Sequence, residues 1–591
     1  MFTTRPEIAA TFGVVATTHW IASAVGMAVL ERGGNAFDAA AAVGFTLNVA
    51  EPHLNGPGGD APIIIHDAKT GKQHVICGQG VAPDAATCER YTGMGLDLIP
   101  GTGLLPAVVP GAFDAFATML RDWGTWELSD VLEFAIGYAR RGIHLVPRIP
   151  AAIETVRPLF EQEWPTSAAT WLLNGRVPQV GGLFSRPALA DFWERLLRES
   201  VGDSREARID AARNAFYRGF VAEAVDKFYR TELMDSSGRR NAGLLTADDM
   251  ARWSAPVEAP LSLDYHGHTI LKCGTWSQGP TFLQQFAIFK GIDIAAMDPM
   301  GPDFIHTVVE TAKLAFADRE AYYGDPDFVQ VPLATLLSEE YNAERRKLIG
   351  DTASMELRPG QIAGYNPIVD HHAEDRATWL TRDPGAGEPT VARLGATGGD
   401  TCHIDVIDRW GNMVSATPSG GWLQSSPVVP GLGFPLSTRG QMFWLTPGLP
   451  NSTAPRKRPR TTLSPSMVLR GGVPWMSLGT PGGEQQDQWQ TVMLLRMLHH
   501  NLNIQQSIDA PNFHTEHWPS SFWPRVARPG KVVIEGRFAA SVLEALKARG
   551  HKAEMGDDWS EGRLSAARIE PDGQMFTGAN PRGMQGYAIG R

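Results

Sequence analysis

The chain has few cysteines. Only Cys77, Cys88, Cys273 and Cys402 occur in 591 residues, and no two are spaced as a CxxC pair. Disulfide-held domains need a much higher density of cysteine, and structural zinc ribbons need CxxC pairs. The sequence therefore excludes a disulfide scaffold and a zinc ribbon.

Basic charge is also scarce. The chain carries 53 Lys and Arg against 64 Asp and Glu, for a formal net charge of −11. Nucleic-acid binding needs a clustered basic face, and the one dense basic run, Arg456–Arg460, is interpreted as a surface or pocket-rim loop. We predict no nucleic-acid partner.

Long apolar runs are missing. No stretch reaches the roughly 18 residues that suggest a membrane span, and Met1–Glu7 lacks the basic segment and apolar core of a secretory signal. Hydrophobic residues nevertheless make up 43% of the chain, which is typical of a globular protein with a large core. We expect no membrane partner and a cytoplasmic location.

Cofactor motifs are missing as well. Gly56–Gly59 lacks the Lys-Ser/Thr of a P-loop and the spacing of a dinucleotide fingerprint. The stretch Asp370–Asp375 has the composition of a metal site, but it is irregular, polar and without motif spacing, so we expect it to be solvated. The sequence predicts no cofactor and no metal.

What the sequence does have is a threonine at a flexible junction. Thr401 follows Gly398-Gly399-Asp400 and precedes the apolar run Ile404–Ile407, which predicts a strand. If the Asp400–Thr401 bond is cut, Thr401 gains an α-amine with a pKa of roughly 7.7–8.0 that can accept the hydroxyl proton. A threonine paired with its own amine is an activated nucleophile. Taken alone, the junction is more typical of an ordinary loop-to-strand boundary.

Around Thr401 the sequence resembles the gamma-glutamyltransferase family of N-terminal-nucleophile hydrolases. That family's small subunit begins Thr-Thr-His, followed by a strand, an Asp-x-x-Gly-Asn turn and a valine-rich strand. Here Thr401–His403 leads into Ile404–Asp408, a turn with Gly411-Asn412, and Met413–Thr417, although Cys402 replaces the usual second threonine. We predict a hairpin that holds Thr401 at the end of a sheet.

Further family signatures follow in order along nearly the whole chain. The matching segments are Gly33–Ala40, Glu51–Pro52, Gly56–Gly59, Val109–Gly111, Lys313–Arg319, Lys457–Pro459, Ser464–Pro465, Pro481–Gly483 and Asn580–Gly583. Because Gly-rich turns recur in unrelated proteins, the order and spacing of the set carry the resemblance.

The resemblance implies an α+β fold, the four-layer αββα sandwich of the N-terminal-nucleophile hydrolases, formed jointly by two processed pieces. The pieces would be a large subunit 1–400 and a small catalytic subunit 401–591, associated as a heterodimer. Residues 358–400 lack periodicity and predict a flexible pro-segment. Whether two heterodimers associate is left open. Periodicity alone indicates only mixed helix and strand.

Local patterns place several elements. They predict helices over 112–142 and 303–323, a helical region from 21 to 50 broken at Gly33-Gly34, and a buried strand over 61–66. A strand at 403–407 would point Cys402 and His403 to opposite faces, which argues against a Cys–His dyad.

Acyl transfer needs a nucleophile, a base and an oxyanion hole. Freed Thr401 would supply the first two. Gly482 and Gly483 match the family's glycines, and their backbone N–H groups would stabilise the oxyanion. Ser419 stands where the family has a threonine whose hydroxyl touches the nucleophile and tunes its amine.

The family's glutamyl-recognition residues are mostly changed. The arginine that pairs the substrate carboxylate is Gln79 here, and the acid that pairs the α-amine is Phe443. An asparagine is replaced by Gly421. With Trp422 and Trp444, these changes predict a neutral aromatic wall that suits an apolar or planar acyl group.

Two hydroxyls that contact the carboxylate in the family persist as Thr461 and Thr462. Burying a zwitterion without charged partners is costly. The sequence therefore predicts an autoprocessed amidohydrolase or acyltransferase in which Thr401 forms an acyl-enzyme and passes the acyl group, other than γ-glutamyl, to water or an amine. Two alternatives stay open: a conventional gamma-glutamyltransferase and glutathione hydrolase that takes its charges from the run 456–460, and an uncleaved, non-catalytic binding protein.

Overall fold

The computed structural model describes residues 2–370 and 401–591. The strands are β1 (Ile8–Ala10), β2 (Val14–Thr17), β3 (Ile63–Asp67), β4 (Lys72–Ile76), β5 (Ile143–His144), β6 (Leu183–Phe184), β7 (Leu233–Met234), β8 (Arg240–Asn241), β9 (Val257–Glu258), β10 (Leu261–Tyr265), β11 (His268–Lys272), β12 (Ile404–Ile407), β13 (Met413–Ala416), β14 (Ser466–Arg470), β15 (Val473–Gly479), β16 (Phe513–Thr515), β17 (Lys531–Ile534), β18 (Lys552–Met555), β19 (Ser565–Ile569), β20 (Met575–Ala579) and β21 (Tyr587–Gly590).

The α-helices are α1 (Trp20–Glu31), α2 (Ala36–Ala50), α3 (Cys88–Gly93), α4 (Ala112–Trp123), α5 (Leu128–Arg141), α6 (Arg148–Gln162), α7 (Pro165–Trp171), α8 (Pro187–Glu199), α9 (Arg205–Tyr217), α10 (Phe220–Tyr229), α11 (Ala247–Ala251), α12 (Gly279–Phe289), α13 (Pro302–Tyr322), α14 (Leu333–Leu336), α15 (Glu339–Arg346), α16 (Gln486–His500), α17 (Ile504–Asp509) and α18 (Ala540–Ala548). Short 3-10 helices cover Ile294–Ala296, Arg439–Met442 and Gly483–Gln485.

Two seven-stranded sheets form the centre of the fold. One has the order β1-β20-β19-β15-β14-β11-β10 and the other β21-β2-β12-β13-β3-β4-β9. All pairings within both are antiparallel. A small sheet of β16, β17 and β18 and the pairs β5–β6 and β7–β8 complete the strands.

The strand β12 shows how the layers are built. Ile404 and Val406 pack outward with residues of α1 and α2, whereas Ile407 packs inward against Met467 and Ala567 of the other sheet. This alternation is the two-residue period of a strand buried on both faces.

Helices cover both outer faces. Helices α1, α2, α4 and α5 share a core with the second sheet, and α12, α13 and α16 share one with the first. The order of layers is helix, sheet, sheet, helix, so the predicted αββα sandwich is confirmed.

The predicted local elements are largely present. The hairpin is formed by β12 and β13, the region from 21 to 50 holds α1 and α2, and 303–323 holds α13. The expected helix 112–142 is two helices, because the chain leaves the helical path at Gly124, the C-terminal cap of α4. The expected strand 61–66 is β3.

Some predictions concern residues that the structure does not describe. Asp400, half of the predicted cleavage site, and most of the metal-like stretch 370–375 lie outside the described ranges, as does most of the predicted pro-segment. Its first part, 358–370, contains no helix or strand. Each helix within residues 2–370 and 401–591 is too short or too polar to span a bilayer.

Candidate active site

The hairpin places Thr401 beside Ser419. Thr401 lies just before β12 and forms an isolated antiparallel bridge with Ser419, which follows β13. Their hydroxyl oxygens are 3.1 Å apart, and both residues are buried. The contact predicted from the sequence is therefore formed, because the in-register strands bring their two outer ends together.

Ser419 also contacts a charged residue that the sequence analysis missed. Arg439 Nη2 donates a hydrogen bond to Ser419 Oγ at 2.6 Å. Arg439 Nε lies 3.4 Å from Asp60 Oδ2, which accepts a bond from Ser437 Oγ at 2.6 Å. All four side chains are fully buried. A sequence signal was available, since Arg439 is the one charged residue between Arg409 and Arg456.

Gln79 joins the same group. Its Nε2 donates to the carbonyl of Gly80 at 3.1 Å and approaches Asp60 Oδ1 at 3.4 Å. Burial raises the pKa of Asp60 to about 6, against the opposing effects of Arg439 and the Ser437 hydrogen bond. We call Asp60, Gln79, Ser419, Ser437 and Arg439 the Asp60 network.

The aromatic residues named from the sequence do not form one wall. Trp422 packs with Met442 and Phe522, whereas Phe443 packs with Tyr91 and Leu105. The 3-10 helix that ends at Met442 turns the chain, so adjacent residues enter different clusters. Phe443 thus lies among apolar side chains away from Trp422.

Trp444 lies in a third cluster, with Leu98 and Leu449, and the Arg525 guanidinium stacks 3.6 Å from its ring centre. Phe522 packs beside Trp422, at 6.3 Å between ring centres. Phe522 was not singled out from the sequence, because it is distant from Trp422 along the chain.

Arg439 lies against this aromatic pair. Its guanidinium carbon is 4.9 Å from the centre of the Trp422 ring and 5.7 Å from that of Phe522. Trp422 is itself fixed, because its Nε1 donates to the carbonyl of Leu54 at 2.9 Å. The arginine is therefore held by hydrogen bonds at one end and by two aromatic faces.

Gly482 and Gly483 form a tight turn after β15. Their φ angles are +128° and +53°, in the region that favours glycine. A Cβ on Gly482 would lie 2.5 Å from Trp489, and one on Gly483 would lie 3.2 Å from Phe522. Gln278 Nε2 donates to the Gly483 carbonyl at 3.1 Å and fixes that peptide.

The backbone N–H groups of both glycines remain available. Within residues 2–370 and 401–591, neither donates a hydrogen bond to another group. Two buried donors on a fixed turn suit an oxyanion hole, and this role remains a prediction.

The other predicted binding residues have mixed environments. Gly421 packs closely on the Gly56–Gly59 turn, since an added Cβ would lie 3.1 Å from the Gly59 nitrogen. Thr461 pairs through its backbone, donating to Trp276 O at 3.0 Å. Thr462 Oγ1 is buried and makes no hydrogen bond within residues 2–370 and 401–591.

Cys402 and His403 point to opposite faces, as predicted. Cys402 Sγ donates to Glu51 Oε2 at 3.0 Å, and burial raises the pKa of this thiol well above its usual value. His403 instead contacts Thr417 Oγ1 at 3.0 Å and Asp405 Oδ1 at 3.1 Å. No Cys–His dyad is formed.

Of the two interpretations of the run 456–460, a surface loop or a pocket-rim loop, the surface alternative is wrong for Arg458 and Arg460, which are buried. Arg458 pairs with Asp325 at 2.7 Å, and Arg460 pairs with Glu320 at 2.5 Å. The sequence could not show this, because both acids are more than a hundred residues away. Both charges are neutralised outside the Asp60 network.

One group of side chains has the composition of a metal site. Ligand atoms of His306, Glu310 and His551 lie within 4.8 Å of one another. However, His306 Nδ1 and His551 Nε2 are 2.8 Å apart, which is a hydrogen-bond distance, and Lys313 Nζ occupies Glu310 at 2.6 Å. The two histidines are therefore hydrogen-bonded to each other, and Glu310 forms an ion pair with Lys313.

Comparison with known proteins agrees with the fold and with the family resemblance. The family model for Gamma-glutamyltranspeptidase matches residues 22–590. The Glutathione hydrolase-like YwrD proenzyme of Bacillus subtilis is 31% identical over 584 residues, covering 98% of both chains.

Two solved structures extend the comparison. The structure of LmbA2991HD is 52% identical, with full coverage of both chains and a TM-score of 0.93. The cephalosporin acylase from Bacillus halodurans is 28% identical, covers 100% of this chain and 98% of its own, and has a TM-score of 0.82. The chain belongs to the gamma-glutamyltranspeptidase family. It is an amidohydrolase or acyltransferase of the N-terminal-nucleophile type.

Proposed function

We propose that this enzyme cleaves amides whose acyl part carries no α-amino group, and passes that acyl group to water or an amine. The observation that carries the proposal is the pairing of Arg439 with Asp60 beside Ser419. An ion pair and two hydrogen bonds connect these two charged side chains to Thr401 through Ser419.

A γ-glutamyl group carries a carboxylate and an ammonium at one carbon, so it needs a cation and an anion that are both free to bind. In this site the candidate cation, Arg439, and the candidate anion, Asp60, bind each other. Separating a buried ion pair is costly, because each charge then lacks its partner. The family's arginine and acid are replaced by Gln79 and by Phe443, and Phe443 lies in an apolar cluster.

The proposed reaction uses Thr401 as nucleophile and its amine as base. The hydroxyl proton moves to the amine while Oγ1 bonds to the amide carbon, and the carbonyl oxygen becomes an oxyanion near the N–H groups of Gly482 and Gly483. The amine then protonates the leaving nitrogen as the carbon–nitrogen bond breaks. Water or an amine attacks the resulting ester and frees Thr401.

The free amine requires cleavage of the chain. We propose that the Thr401 hydroxyl attacks the carbonyl of Asp400, giving an ester that water opens. Residues 1–400 and 401–591 would then remain associated as a heterodimer, and association of two heterodimers is left to measurement. A cytoplasmic location stays a prediction from the sequence.

The family comparison supports both the chemistry and the change of acyl group. A relative is named a glutathione hydrolase-like proenzyme, and a structural neighbour is a cephalosporin acylase. The family therefore includes proteins named for acyl groups of different kinds on one scaffold.

The experiment is a matched pair of substrates, glutaryl-p-nitroanilide and γ-glutamyl-p-nitroanilide, which differ only in the α-ammonium. We expect kcat/KM to be at least about tenfold higher for the glutaryl compound, because an unpaired ammonium in the pocket costs more than 1.4 kcal/mol. The Thr401→Ala variant is the control for background hydrolysis. A kcat/KM of about 10⁴ M⁻¹s⁻¹ or more on the γ-glutamyl compound, equal to or above the glutaryl value, would contradict the proposal.

A further inference from the structure

Arg439 is a charged residue of the site that the family resemblance did not supply. It is fully buried, on the 3-10 helix Arg439–Met442, in a stretch that otherwise carries no charge. Burying a guanidinium is costly unless its donors are used. One of its donors is used on Ser419 Oγ, at 2.6 Å.

The direction of this hydrogen bond follows from chemistry. A guanidinium can only donate, so Ser419 Oγ must accept from Arg439. Ser419 therefore keeps its own proton for another partner. Thr401 Oγ1 lies 3.1 Å from Ser419 Oγ, within reach of that proton.

The relevant state of Thr401 is the deprotonated one, in which Oγ1 attacks the substrate. Once the Thr401 proton has moved to the amine, Thr401 Oγ1 has no proton and can only accept. Ser419 must then be the donor, and the two hydrogen bonds run in one direction, from Arg439 to Ser419 to Thr401. Hydrogen bonds aligned in this way polarise one another, and a charged donor strengthens them.

We propose that Arg439 is a positioning residue that acts through Ser419: it turns the Ser419 hydroxyl toward Thr401 Oγ1 and stabilises the negative charge on that oxygen as it attacks and as it leaves. The inference rests on the proposed role of Thr401. It assigns Asp60 and Ser437 the task of holding Arg439, since Ser437 Oγ and Arg439 Nε both lie at Asp60 Oδ2, at 2.6 and 3.4 Å.

Another buried arginine shows what a purely structural role looks like. Arg496 is also fully buried, but its Nη2 donates to the backbone carbonyls of Pro299 and Pro511, at 3.0 and 2.8 Å. Those contacts join loops to α16 and reach no hydroxyl nucleophile. Arg496 is therefore the matched control for the loss of a buried guanidinium.

The test compares Arg439→Met, Arg439→Lys and Arg496→Met in the processed enzyme, with glutaryl-p-nitroanilide as the probe. We expect Arg439→Met to lower kcat on the order of 10- to 100-fold, the usual weight of a charged hydrogen bond, with KM changed less than about threefold. Arg439→Lys keeps a donor and should recover a large part of kcat. Arg496→Met should lower the thermal midpoint and leave kcat within about twofold.

A double-mutant cycle isolates the path through Ser419. In a Ser419→Ala background the hydroxyl that Arg439 orients is gone, so adding Arg439→Met should lower kcat less than about twofold further. Full additivity of the two losses would overturn the inference, as would Arg439→Met with unchanged kcat or Arg439→Lys no better than Arg439→Met.

Failure of the proposed function gives a different pattern. If the wild-type protein cleaves γ-glutamyl-p-nitroanilide better than the glutaryl probe, the acyl group is wrong, and the same cycle is measured on the γ-glutamyl compound. If the wild-type protein stays uncut and cleaves neither compound, Thr401 is no nucleophile, and the role of Arg439 is overturned with it.

Discussion

The Asp60 network can be compared with a second group of charges, formed by the buried His514 and Glu561 and the partly exposed Glu516 and Arg528. Each group contains a fully buried carboxyl whose pKa is raised by burial, Asp60 in one and Glu561 in the other. His514 Nδ1 lies 2.5 Å from Glu561 Oε2, and its Nε2 lies 3.5 Å from Glu516. Glu516 is paired in turn with Arg528. We call this group the His514 cluster.

The two groups differ in where their hydrogen bonds lead. The bonds of the Asp60 network reach Ser419 and, through it, the hydroxyl of Thr401. The contacts of the His514 cluster connect its charged members to one another and to Lys531 of β17. Burial and an unusual pKa are therefore not enough to identify a functional site. A path of hydrogen bonds to a reactive atom is the stronger criterion.

The largest effect that tests this difference is expected at Thr401. Thr401→Ala should remain one uncut chain of 64.2 kDa and show no turnover, because it lacks the hydroxyl for both processing and catalysis. Intact mass and anilide hydrolysis measure the two outcomes. Thr401→Ser keeps a hydroxyl and should be cut and partly active. A Thr401→Ala protein that is still cut at residue 400 would remove Thr401 from the mechanism.

The next largest loss of kcat is expected at the turn of Gly482 and Gly483, which carries the proposed oxyanion-hole donors. Gly483→Val should lower kcat about 100-fold, because a side chain against Phe522 displaces the N–H groups by about an ångström. Gly471→Val is the control, since Gly471 has a similar φ of +60° and open space around its Cβ. Equal kcat in both variants would mean that backbone strain alone is measured and that the glycines supply no oxyanion hole.

A smaller loss is expected at Asp60. Asp60→Asn keeps the shape of the side chain but weakens the hold on Arg439, and should lower kcat about tenfold. The control is Asp325→Asn, which removes a buried carboxylate that pairs with Arg458. Steady-state kinetics and thermal midpoints separate the two. If both variants lose stability equally and Asp60→Asn keeps its kcat, the Asp60 network is structural like the His514 cluster.

The smallest effect on catalysis is expected in the His514 cluster. Burial alone would lower the pKa of His514, but Glu561 and Glu516 raise it to about 10. The folded pKa exceeds the unfolded value of about 6.5, so the stabilisation is fully present below pH 6.5 and is lost as pH rises through 10.

His514→Gln should therefore lower the thermal midpoint at pH 7 and leave kcat within about twofold. The difference from wild type should shrink as the pH is raised from 7 to 10. His268→Gln, at a half-exposed histidine of β11, is the control. A difference in midpoint that grows toward pH 10 would show that the charged imidazole does not stabilise the fold.

The sequence predicted what local spacing determines. The hairpin of β12 and β13 and the Thr401–Ser419 contact follow from a short segment with a clear two-residue period. Asp60 and Arg439 were missed because their meeting depends on the packing of a loop before β3 against a 3-10 helix several hundred residues later. Phe443 was misplaced for a related reason: one turn of 3-10 helix decides which cluster a residue enters, and the residue types do not show it.

The order of strands in the two sheets has a consequence for the processed enzyme. Strands β2 and β3 from residues 1–400 flank β12 and β13 from residues 401–591, and β11 pairs with β14. After cleavage before Thr401, unfolding would release two separate polypeptides, and refolding would become a bimolecular reaction. The melting temperature of the cut enzyme should then rise with protein concentration, whereas that of uncut Thr401→Ala should not. Cleavage would thus activate the nucleophile and also make the stability of the folded state depend on protein concentration.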